Sequence, residues 1–372
     1  MNFIDICSGI GGFRSALENN GHECLAFAEI DKYAKQSYRA IYDTDGEEDL
    51  DDITTITDEQ FRFYRGQCDI ITGGFPCQAF SIAGNRRGFD DTRGTIFFHI
   101  ARAIKEIQPS YVLLENVKGL LSHDKGRTFG TIIQALDELG YVTEWGLFNS
   151  KYWGVPQNRE RVYILATRKD KFKEPLLFDL VKQQTEVTTR LIDVLEDEVD
   201  EKYYLSDEKV KKLTPELKND DIKTFTYNRM EGLKTEINVA HTINQSDYRG
   251  LNRNQNQNCV VVREATKQGY AIAEQGDSVN VSYPSSKTRR GRVGKQVAQT
   301  LQAGEVNQGV VMGDIRIRKL SPLECWRLQG FTDEQFYKAK DSGVSNSQLY
   351  KQSGNAITIS VADAIIKKIT EG

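Results

Sequence analysis

The stretch Asp69-Ile-Ile-Thr-Gly-Gly-Phe-Pro-Cys-Gln-Ala-Phe-Ser81 joins a short apolar run to a proline turn. The apolar run predicts the end of a buried strand, and the two glycines let the backbone approach another group closely. Pro76 fixes its own φ and favours an extended residue before it, so Cys77 is presented from a stiff turn. Sheets of α/β proteins bind ligands at this edge. A buried structural cysteine is the alternative, but the polar and glycine residues around Cys77 favour a reactive thiol.

Strands and helices alternate on both sides of this stretch. The predicted strands are residues 3–7, 23–30, 49–53, 69–72, 111–114, 141–149 and 161–167, and the predicted helices are residues 13–19, 95–107 and 128–139. This alternation predicts an α/β fold with a doubly wound, Rossmann-like, mostly parallel sheet. Residues 185–312 lack it, are rich in Asn, Gln, Gly, Thr and Val, and predict a smaller, mainly β or irregular domain. We therefore divide the chain into residues 1–184, 185–312 and a C-terminal segment, 313–372.

The composition is that of a soluble globular protein, with 372 residues, 39% hydrophobic and 27% charged. No apolar run approaches about 18 residues and a strand follows Met1 almost at once, so neither a membrane span nor a signal peptide is expected. Six cysteines without a CxxC pair and four scattered histidines predict no metal site, and free thiols favour a reducing cytoplasm.

The formal net charge of −4 does not by itself indicate a nucleic-acid partner, but the charge is unevenly distributed. Residues 240–304 carry nine Lys or Arg against four Asp or Glu, and residues 278–304 contain no acid. The basic residues of that acid-free part are Lys287, Arg289, Arg290, Arg292 and Lys295. Such a face is compatible with polyanion binding, and solvated loop charge is the alternative.

Three further segments predict ligand-binding groups. The first strand runs into Ser8-Gly-Ile-Gly-Gly12 and a helix, an arrangement that brings backbone N–H groups up to a ligand, although its spacing is not GxGxxG. Glu29, about 20 positions later, is placed to accept hydrogen bonds from ribose hydroxyls. The fifth strand delivers Glu115-Asn-Val117 to the same sheet edge as Cys77. Arg159 and Arg161 would point the same way in an extended turn and suggest an anion or carbonyl clamp, with surface arginines as the alternative.

Together these segments resemble the DNA (cytosine-5)-methyltransferase family, the enzymes of bacterial and phage modification systems. The resemblance covers nearly the whole chain except residues 185–312. It rests on six motifs in the family's order, Asp5-x-x-x-Gly9-x-Gly11-Gly12, Gly73-Gly-Phe-Pro-Cys-Gln78, Glu115-Asn-Val117, Gln157-x-Arg159-x-Arg161, Leu320-x-Pro-x-Glu324-x-x-Arg-Leu-Gln-Gly-Phe331 and Gly354-Asn-Ala356.

The resemblance implies transfer of a methyl group from S-adenosylmethionine to carbon 5 of cytosine. It assigns Cys77 as the nucleophile that adds to carbon 6, because a thiolate is strongly nucleophilic near neutral pH. Glu115 is the carboxyl group that shares a proton with ring N3, which requires a raised pKa. Arg161 is the partner of ring O2, and Arg159 supports the same loop. Pro76 and Asn116 complete the expected catalytic set.

The family keeps its cofactor over the carboxyl ends of the first three strands, with the last helix completing the pocket. The residues carried over are Asp5, Ser8, Gly9, Ile10, Gly11, Gly12, Glu29, Ile30, Asp52, Ile53, Asn355 and Ala356. Two positions depart from the family, since Cys7 stands where many members have Phe and Ile30 where many have Trp. Both departures remove aromatic surface from the pocket and bear on cofactor affinity.

The implied partner is double-stranded DNA, whose target base must be rotated out of the helix to reach Cys77. The loop of residues 78–94 would close over that nucleotide, with Gln78, Ser81 and Arg93 contacting DNA. Residues 185–312 fall where the family keeps its target-recognition domain, with Arg289, Arg290 and Arg292 as DNA contacts. A monomer, without a membrane partner, is expected in the cytoplasm of a prokaryotic or phage-infected cell, and a separately acting cognate restriction endonuclease is a further candidate partner.

Three alternatives stay open at the level of sequence. Cousins that methylate transfer RNA share the Pro-Cys and Glu-Asn-Val motifs, although their insert is shorter than residues 185–312. A catalytically silent DNA-binding module is the second alternative, yet every expected catalytic position is filled. A nucleotide-dependent oxidoreductase is the third, and it leaves Pro76-Cys77, Glu115 and the two arginines unexplained.

Overall fold

The structure, a computed structural model, describes residues 1–76, 95–214, 225–228, 232–234, 257–304, 306–313 and 316–371, with backbone alone for 225–228, 232–234 and 257–258. The helices described are α1 (Gly12–Asn19), α2 (Lys32–Ile41), α3 (Asp58–Phe63), α4 (Ile96–Ile107), α5 (Arg127–Glu138), α6 (Leu177–Lys182), α7 (Asp207–Leu213), α8 (Pro322–Arg327), α9 (Asp333–Asp341), α10 (Asn346–Asn355) and α11 (Ile359–Glu371). Short 3₁₀ turns cover Lys118–Leu121, His123–Gly126, Ser150–Tyr152, Leu191–Val194 and Glu201–Tyr203.

The strands form one large sheet and several small ones. Those described are β1 (Asn2–Ile6), β2 (Glu23–Ala28), β3 (Glu48–Asp49), β4 (Ile70–Gly74), β5 (Tyr111–Val117), β6 (Tyr141–Asn149), β7 (Gln157–Asn158), β8 (Glu160–Arg168), β9 (Phe225–Asn228), β10 (Gly232–Lys234), β11 (Gln257–Arg263), β12 (Tyr270–Ala273), β13 (Ser278–Asn280), β14 (Val293–Gly294), β15 (Ala298–Gln299), β16 (Gln308–Val311) and β17 (Ile317–Lys319).

The large sheet has seven strands in the order β3-β2-β1-β4-β5-β8-β6. The first five run parallel, and β8 pairs antiparallel with both β5 and β6. The mostly parallel α/β fold predicted from the sequence is therefore confirmed. Strand register brings the carboxyl ends of three strands together, since Ile6 lies beside Gly73 and Gly74 beside Glu115.

Both faces of this sheet are covered, because neighbouring residues of one strand enter different cores. Val112 packs in a core that includes Ile100 of α4, whereas Leu113 packs in the core that includes Phe13 of α1. Ile365 of α11 belongs to the second of these cores, so the last helix is built into the body of the large sheet. Each such fully buried aliphatic or aromatic side chain stabilises the fold by roughly 1.5–3 kcal/mol.

The remaining strands form sheets with the orders β10-β9-β11-β12 and β14-β13-β16-β17, and β15 pairs parallel with β7. Residues 185–312 are thus largely β and irregular in their described part, as the composition predicts. One sheet extends across the predicted boundary at 312, because β17, which follows it, pairs antiparallel with β16. The segment Ser321-Pro-Leu-Glu324 begins α8, with a capping box between Ser321 and Glu324.

Two predicted strands end earlier than the sequence suggests. The second stops at Ala28, because the Glu29 carboxylate accepts the backbone N–H groups of Gly9 and Asp31 and turns the chain. The third, predicted over 49–53, is only β3, because Asp51 adopts a left-handed φ of 51°. Within the part of the chain that the structure describes, no helix is both long and apolar enough to cross a membrane.

Candidate active site

Glu115 lies near the end of β5 and forms an ion pair with an arginine of the neighbouring strand. Arg161, on β8, places its Nε 3.0 Å from the Glu115 Oε1 atom, and its Nη1 donates to the Glu160 carbonyl. The Glu115 side chain is buried. Burial raises its pKa, and the charges of Arg161 and Arg159 oppose this only in part. The Glu115 carboxyl group therefore keeps its proton to a higher pH than an ordinary glutamate does.

Asn116 fixes the turn that precedes Cys77. Its buried side-chain amide donates to the Phe75 carbonyl at 2.7 Å, and its Oδ1 accepts the backbone N–H of Val117. Pro76 follows this anchored carbonyl and is exposed. The backbone is thus tied to β5 immediately before the predicted nucleophile. Cys77 itself lies outside the described residues, as do three of the predicted DNA contacts, Gln78, Ser81 and Arg93.

Arg159 is buried in the turn between β7 and β8, with only 2% of its surface exposed. Its Nη2 donates to the carbonyls of Gly354 at 3.1 Å and Ala356 at 2.8 Å. Its Nε and Nη1 atoms are buried and have no partner among the residues described. Burial and the charge of Arg161 lower the pKa of Arg159 to about 9. Arg159 thus connects the turn before β8 to the C-terminal segment and keeps two donors without a described partner.

These groups face one cavity of about 350 Å³ at the carboxyl ends of β1, β4 and β5. Predicted residues that line it are Pro76, Glu115, Asn116, Arg159, Arg161, Ser8, Gly9, Ile10, Gly12, Glu29, Asn355 and Ala356. The two predicted arginines therefore do point into the same space. Sequence reasoning missed Lys351, which lines the cavity and pairs with Asp31 at 2.6 Å. No spacing rule links residues so distant in the chain.

The glycine turn forms one wall of this cavity. The Glu29 Oε2 atom accepts the Gly9 N–H at 2.8 Å, which fixes the turn against the end of β2. Ser8 is buried, and its hydroxyl has no partner in the described part of the chain. A side chain at Gly12 is excluded, because its Cβ would lie 2.7 Å from the Ile357 carbonyl oxygen. The wall is therefore closely packed on the side away from the cavity, and its Ser8 hydroxyl has no described partner.

Five residues predicted to bind the cofactor do not line this cavity. Asp5 is buried inside the sheet and accepts from the Thr72 hydroxyl, and a Cβ at Gly11 would collide with the Tyr42 ring. Ile53 lies in a hydrophobic core, whereas Ile30 is 70% exposed. The remaining one is Asp52, which accepts the Thr54 N–H in a surface turn. Asp5, Gly11 and Ile53 thus support the walls, and Ile30 and Asp52 lie at the surface.

A family model for the C-5 cytosine-specific DNA methylases matches residues 1–371. The chain belongs to this family. Orphan methyltransferase M.SPRI of Bacillus phage SPR is 38% identical, over 99% of this chain and 97% of that protein. Type II methyltransferase M.HpaII of Haemophilus parainfluenzae is 36% identical, over 100% of this chain and 89% of its own. The family predicted from the motifs is thereby confirmed, and the protein is a DNA cytosine-5 methyltransferase.

Solved structures share the methylase fold along the whole chain. Dnmt2 methyltransferase of S. pombe superposes with a TM-score of 0.64 at 19% identity, covering 100% of this chain and 98% of that one. A putative DNA modification methyltransferase encoded within an E. coli prophage gives 0.61 at 20% identity, covering 100% and 99%. At these identities the likeness shows the fold alone.

The basic residues predicted to contact DNA in this methylase separate into two kinds. Arg290 is exposed and Arg289 is half-buried at the surface. Arg292 is fully buried, and its guanidinium donates to the backbone carbonyls of Asn280, Ser282 and Tyr283. The prediction that Arg292 contacts DNA is therefore wrong in this structure, because every terminal nitrogen is directed at the protein's own backbone.

Proposed function

We propose that this methylase transfers a methyl group from S-adenosylmethionine to carbon 5 of a flipped-out cytosine in a specific duplex sequence, through a covalent adduct with Cys77. The observation that carries the proposal is the Glu115–Arg161 ion pair at 3.0 Å. It lies in the cavity that also receives the anchored turn before Cys77. A buried carboxyl with a raised pKa beside a guanidinium suits a ring that presents N3 and O2 side by side.

The proposed chemistry begins with addition of the Cys77 thiolate to carbon 6 of cytosine. This addition moves electron density towards N3 and O2, where Glu115 supplies a proton and Arg161 a hydrogen bond. Carbon 5 would then form a bond to the methyl group that bound S-adenosylmethionine supplies, with the sulfonium–methyl bond breaking and the thioether product leaving. Loss of the proton at carbon 5, return of the N3 proton to Glu115 and expulsion of the thiolate restore the aromatic ring and the free enzyme. The base for that last proton is not assigned to a residue, and water is one candidate.

The residues around the cavity fit the proposed cofactor, which supplies an electrophilic methyl group when bound. The unused Ser8 hydroxyl and the glycine turn would meet its amino-acid part, and the Glu29 carboxylate would accept from a ribose hydroxyl. Lys351 and Asp31 add one charge of each sign at the same cavity, which suits a ligand that carries both an ammonium and a carboxylate. Asn355 and Ala356 close the other side.

We assign residues 1–184 and 313–372 to the catalytic part and residues 185–312 to target recognition. Gln157 supports a fixed relation between them, since its side chain donates to the Leu328 carbonyl and accepts the Leu301 N–H. Because a base stacked in a duplex cannot reach the buried Glu115 side chain in the cavity, we propose that the target nucleotide is flipped out, which is the rule for this class of enzyme.

We further propose a monomer that acts in the cytoplasm of a prokaryotic or phage-infected cell, where its duplex substrate is found. The relatives are named both as orphan phage enzymes and as type II enzymes. A cognate restriction endonuclease would be a separate protein in the second case.

The decisive experiment is incubation with radiolabelled S-adenosylmethionine and unmethylated genomic DNA, followed by bisulfite sequencing. We expect label in DNA and protected cytosines within one short recurring sequence. Transfer RNA is assayed in parallel, and label there without label in DNA would replace DNA with RNA as the substrate.

The covalent step is tested by Cys77→Ser. We expect this variant to lose methyl transfer while duplex binding stays within a few-fold of wild type, because the hydroxyl is a far weaker nucleophile than a thiolate at neutral pH. Duplexes with 5-fluorocytosine at the target should trap the wild type as a denaturation-resistant complex. Near-normal turnover by Cys77→Ser would eliminate the adduct mechanism.

A further inference from the structure

The connection between β13 and β14 is the most basic described part of the region assigned to target recognition. We call residues 283–291 the Tyr283 loop. It carries Lys287, Arg289 and Arg290 and no acidic residue. Tyr283 itself is 68% exposed, so an aromatic ring lies at the surface within this basic loop.

The loop has a defined shape, because Arg292 holds it from inside. Arg292 Nη1 donates to the carbonyls of Asn280 at 3.1 Å and Ser282 at 3.2 Å, and Nη2 donates to that of Tyr283 at 2.8 Å. Tyr283 adopts a left-handed φ of 47°, which is rare for an aromatic residue and needs such support. At the other end, the Gly291 N–H donates to the Glu264 carboxylate at 2.6 Å.

Arg289 is oriented by the exposed ring. Its guanidinium carbon lies 5.6 Å from the centroid of the Tyr283 ring, and its own carbonyl accepts the Ala265 N–H. Among the residues described, no carboxylate forms an ion pair with this guanidinium. A guanidinium held over an aromatic face keeps its N–H groups directed outward in one plane. That is the donor arrangement that recognises the O6 and N7 atoms of guanine in the major groove.

The loop is also connected to the catalytic elements by a short path. Six residues after Arg292, β15 begins and pairs with β7, immediately before Arg159. The Thr300 hydroxyl donates to the Asn158 carbonyl at 2.8 Å. A base pair that contacts the loop would therefore lie at a fixed distance from the cavity.

We propose that Tyr283 and Arg289 form a base-reading pair for duplex DNA and that Arg292 is the positioning residue that sets the loop conformation. Arg289 contacts the edge of a guanine in the major groove, and Tyr283 limits the orientations of its guanidinium. The proposal rests on the function proposed above and adds residues that determine its sequence specificity.

The test compares variants on duplex oligonucleotides that carry the site found by bisulfite sequencing, and on a set in which each base pair is replaced in turn. Arg289→Ala should lower kcat/KM for the site roughly tenfold to hundredfold and abolish discrimination at one base pair. The kcat at saturating DNA and the KM for S-adenosylmethionine should stay within about twofold of wild type, because the cavity is untouched. Tyr283→Ala should weaken discrimination at the same base pair, and Tyr283→Phe should restore most of it.

Arg292→Lys tests the positioning role, since a lysine cannot donate to three carbonyls from one plane. We expect it to lose discrimination at the base pair that Arg289→Ala affects. If Arg292→Lys does not fold, Tyr283→Ala and Tyr283→Phe still test whether the loop reads that base pair. Phe178→Ala is the matched control, because Phe178 is 63% exposed and lies under Lys182 at 4.0 Å on α6, outside the proposed interface.

Two results would overturn the proposal, and they are separable from failure of the proposed function. Arg289→Ala could keep wild-type discrimination at every base pair. Alternatively, it could weaken all duplexes equally and reduce the salt dependence of binding by about one phosphate contact, which would make Arg289 a backbone contact. A wild type that labels no DNA would instead refute the function itself, and base reading with it.

Discussion

The cavity at the edge of the large sheet and the Tyr283 loop are each built beside a buried arginine, but the two arginines use their donors differently. Arg159 makes two hydrogen bonds through Nη2 and leaves Nε and Nη1 without a described partner beside a cavity. Arg292 directs both terminal nitrogens at backbone carbonyls, leaves its buried Nε without a described partner, and does not line the cavity. The two arginine side chains thus resemble each other in burial and in formal charge. A site that can receive a ligand is therefore distinguished by unused donors beside a cavity, as at Arg159, whereas the donors that Arg292 uses shape the backbone.

The largest expected effect comes from the carboxyl group of the cavity. Glu115→Gln keeps the size of the side chain but removes the proton that ring N3 requires, and we expect kcat to fall roughly 10²–10⁴-fold. Cofactor binding, measured by calorimetry, and thermal stability should change little, because Gln can still accept from Arg161. A kcat within tenfold of wild type would show that Glu115 is not the proton donor and would reduce the cavity to a binding site.

Because the raised pKa of Glu115 favours its protonated form, the wild-type rate should also depend on pH at this group. Single-turnover rates should fall as pH rises through the Glu115 pKa, since the carboxyl then loses its proton. Glu115→Gln should lack that limb of the profile. An identical limb in both proteins would assign it to another group.

A pair of matched substitutions compares the two buried arginines directly. Arg292→Met leaves backbone carbonyls of the loop without donors, so the free energy of unfolding should fall by about 2–4 kcal/mol in urea titration. Arg159→Met removes a desolvated cation that is only partly bonded, so stability should change by about 1 kcal/mol or less. Its kcat/KM should fall roughly 10²-fold, because the turn that leads into β8 and Arg161 loses its support. If Arg159→Met instead lost stability and kept its kcat/KM, Arg159 would only stabilise the fold.

The parts of the site predicted from sequence are those fixed by strand ends. Glu115 and Pro76 follow short apolar runs of parallel strands, and parallel strands bring such ends to one edge of the sheet. Arg161 lies at the start of β8, which reaches the same edge because it runs antiparallel to β5. The same holds for the N-terminus of α8, whose capping box is a purely local signal. Local geometry and sheet topology were enough for these features.

What the sequence could not predict depends on contacts between distant residues or on backbone conformation. Arg289, Arg290 and Arg292 stand in one basic run and cannot be told apart by residue type. Only Arg292 is buried, because the loop, with Tyr283 at a left-handed φ, directs several backbone carbonyls at its guanidinium. Lys351 reaches the cavity because α10 packs beside the N-terminus of α2, which places it 2.6 Å from Asp31. Neither arrangement has a spacing that a motif could capture.

The smallest expected effect extends the comparison from arginines to buried carboxyl groups. Glu324, in the C-terminal segment, accepts both terminal nitrogens of Arg318 and the backbone N–H groups of Ser321 and Glu196. Asp5, inside the large sheet, accepts from Thr72 through Oδ1, and its buried Oδ2 has no partner among the described residues. Burial consequently raises the Asp5 pKa from 3.8 to about 7.

This shift fixes the sign of a pH effect on stability. The folded state retains the Asp5 proton up to about pH 7, whereas the unfolded chain loses it near 3.8, so the stabilising contribution is present in full below 3.8 and declines as pH rises through 7. Asp5→Asn carries no charge at any pH and should be more stable than wild type by about 1–2 kcal/mol at pH 8, less than the full shift implies because its NH₂ group finds no acceptor. Urea unfolding at pH 5 should remove or reverse the difference between the two proteins. If Asp5→Asn were instead less stable than wild type at pH 8, the Asp5 carboxylate would have to be compensated as fully as that of Glu324, and the contrast between the two regions would not extend to their acids.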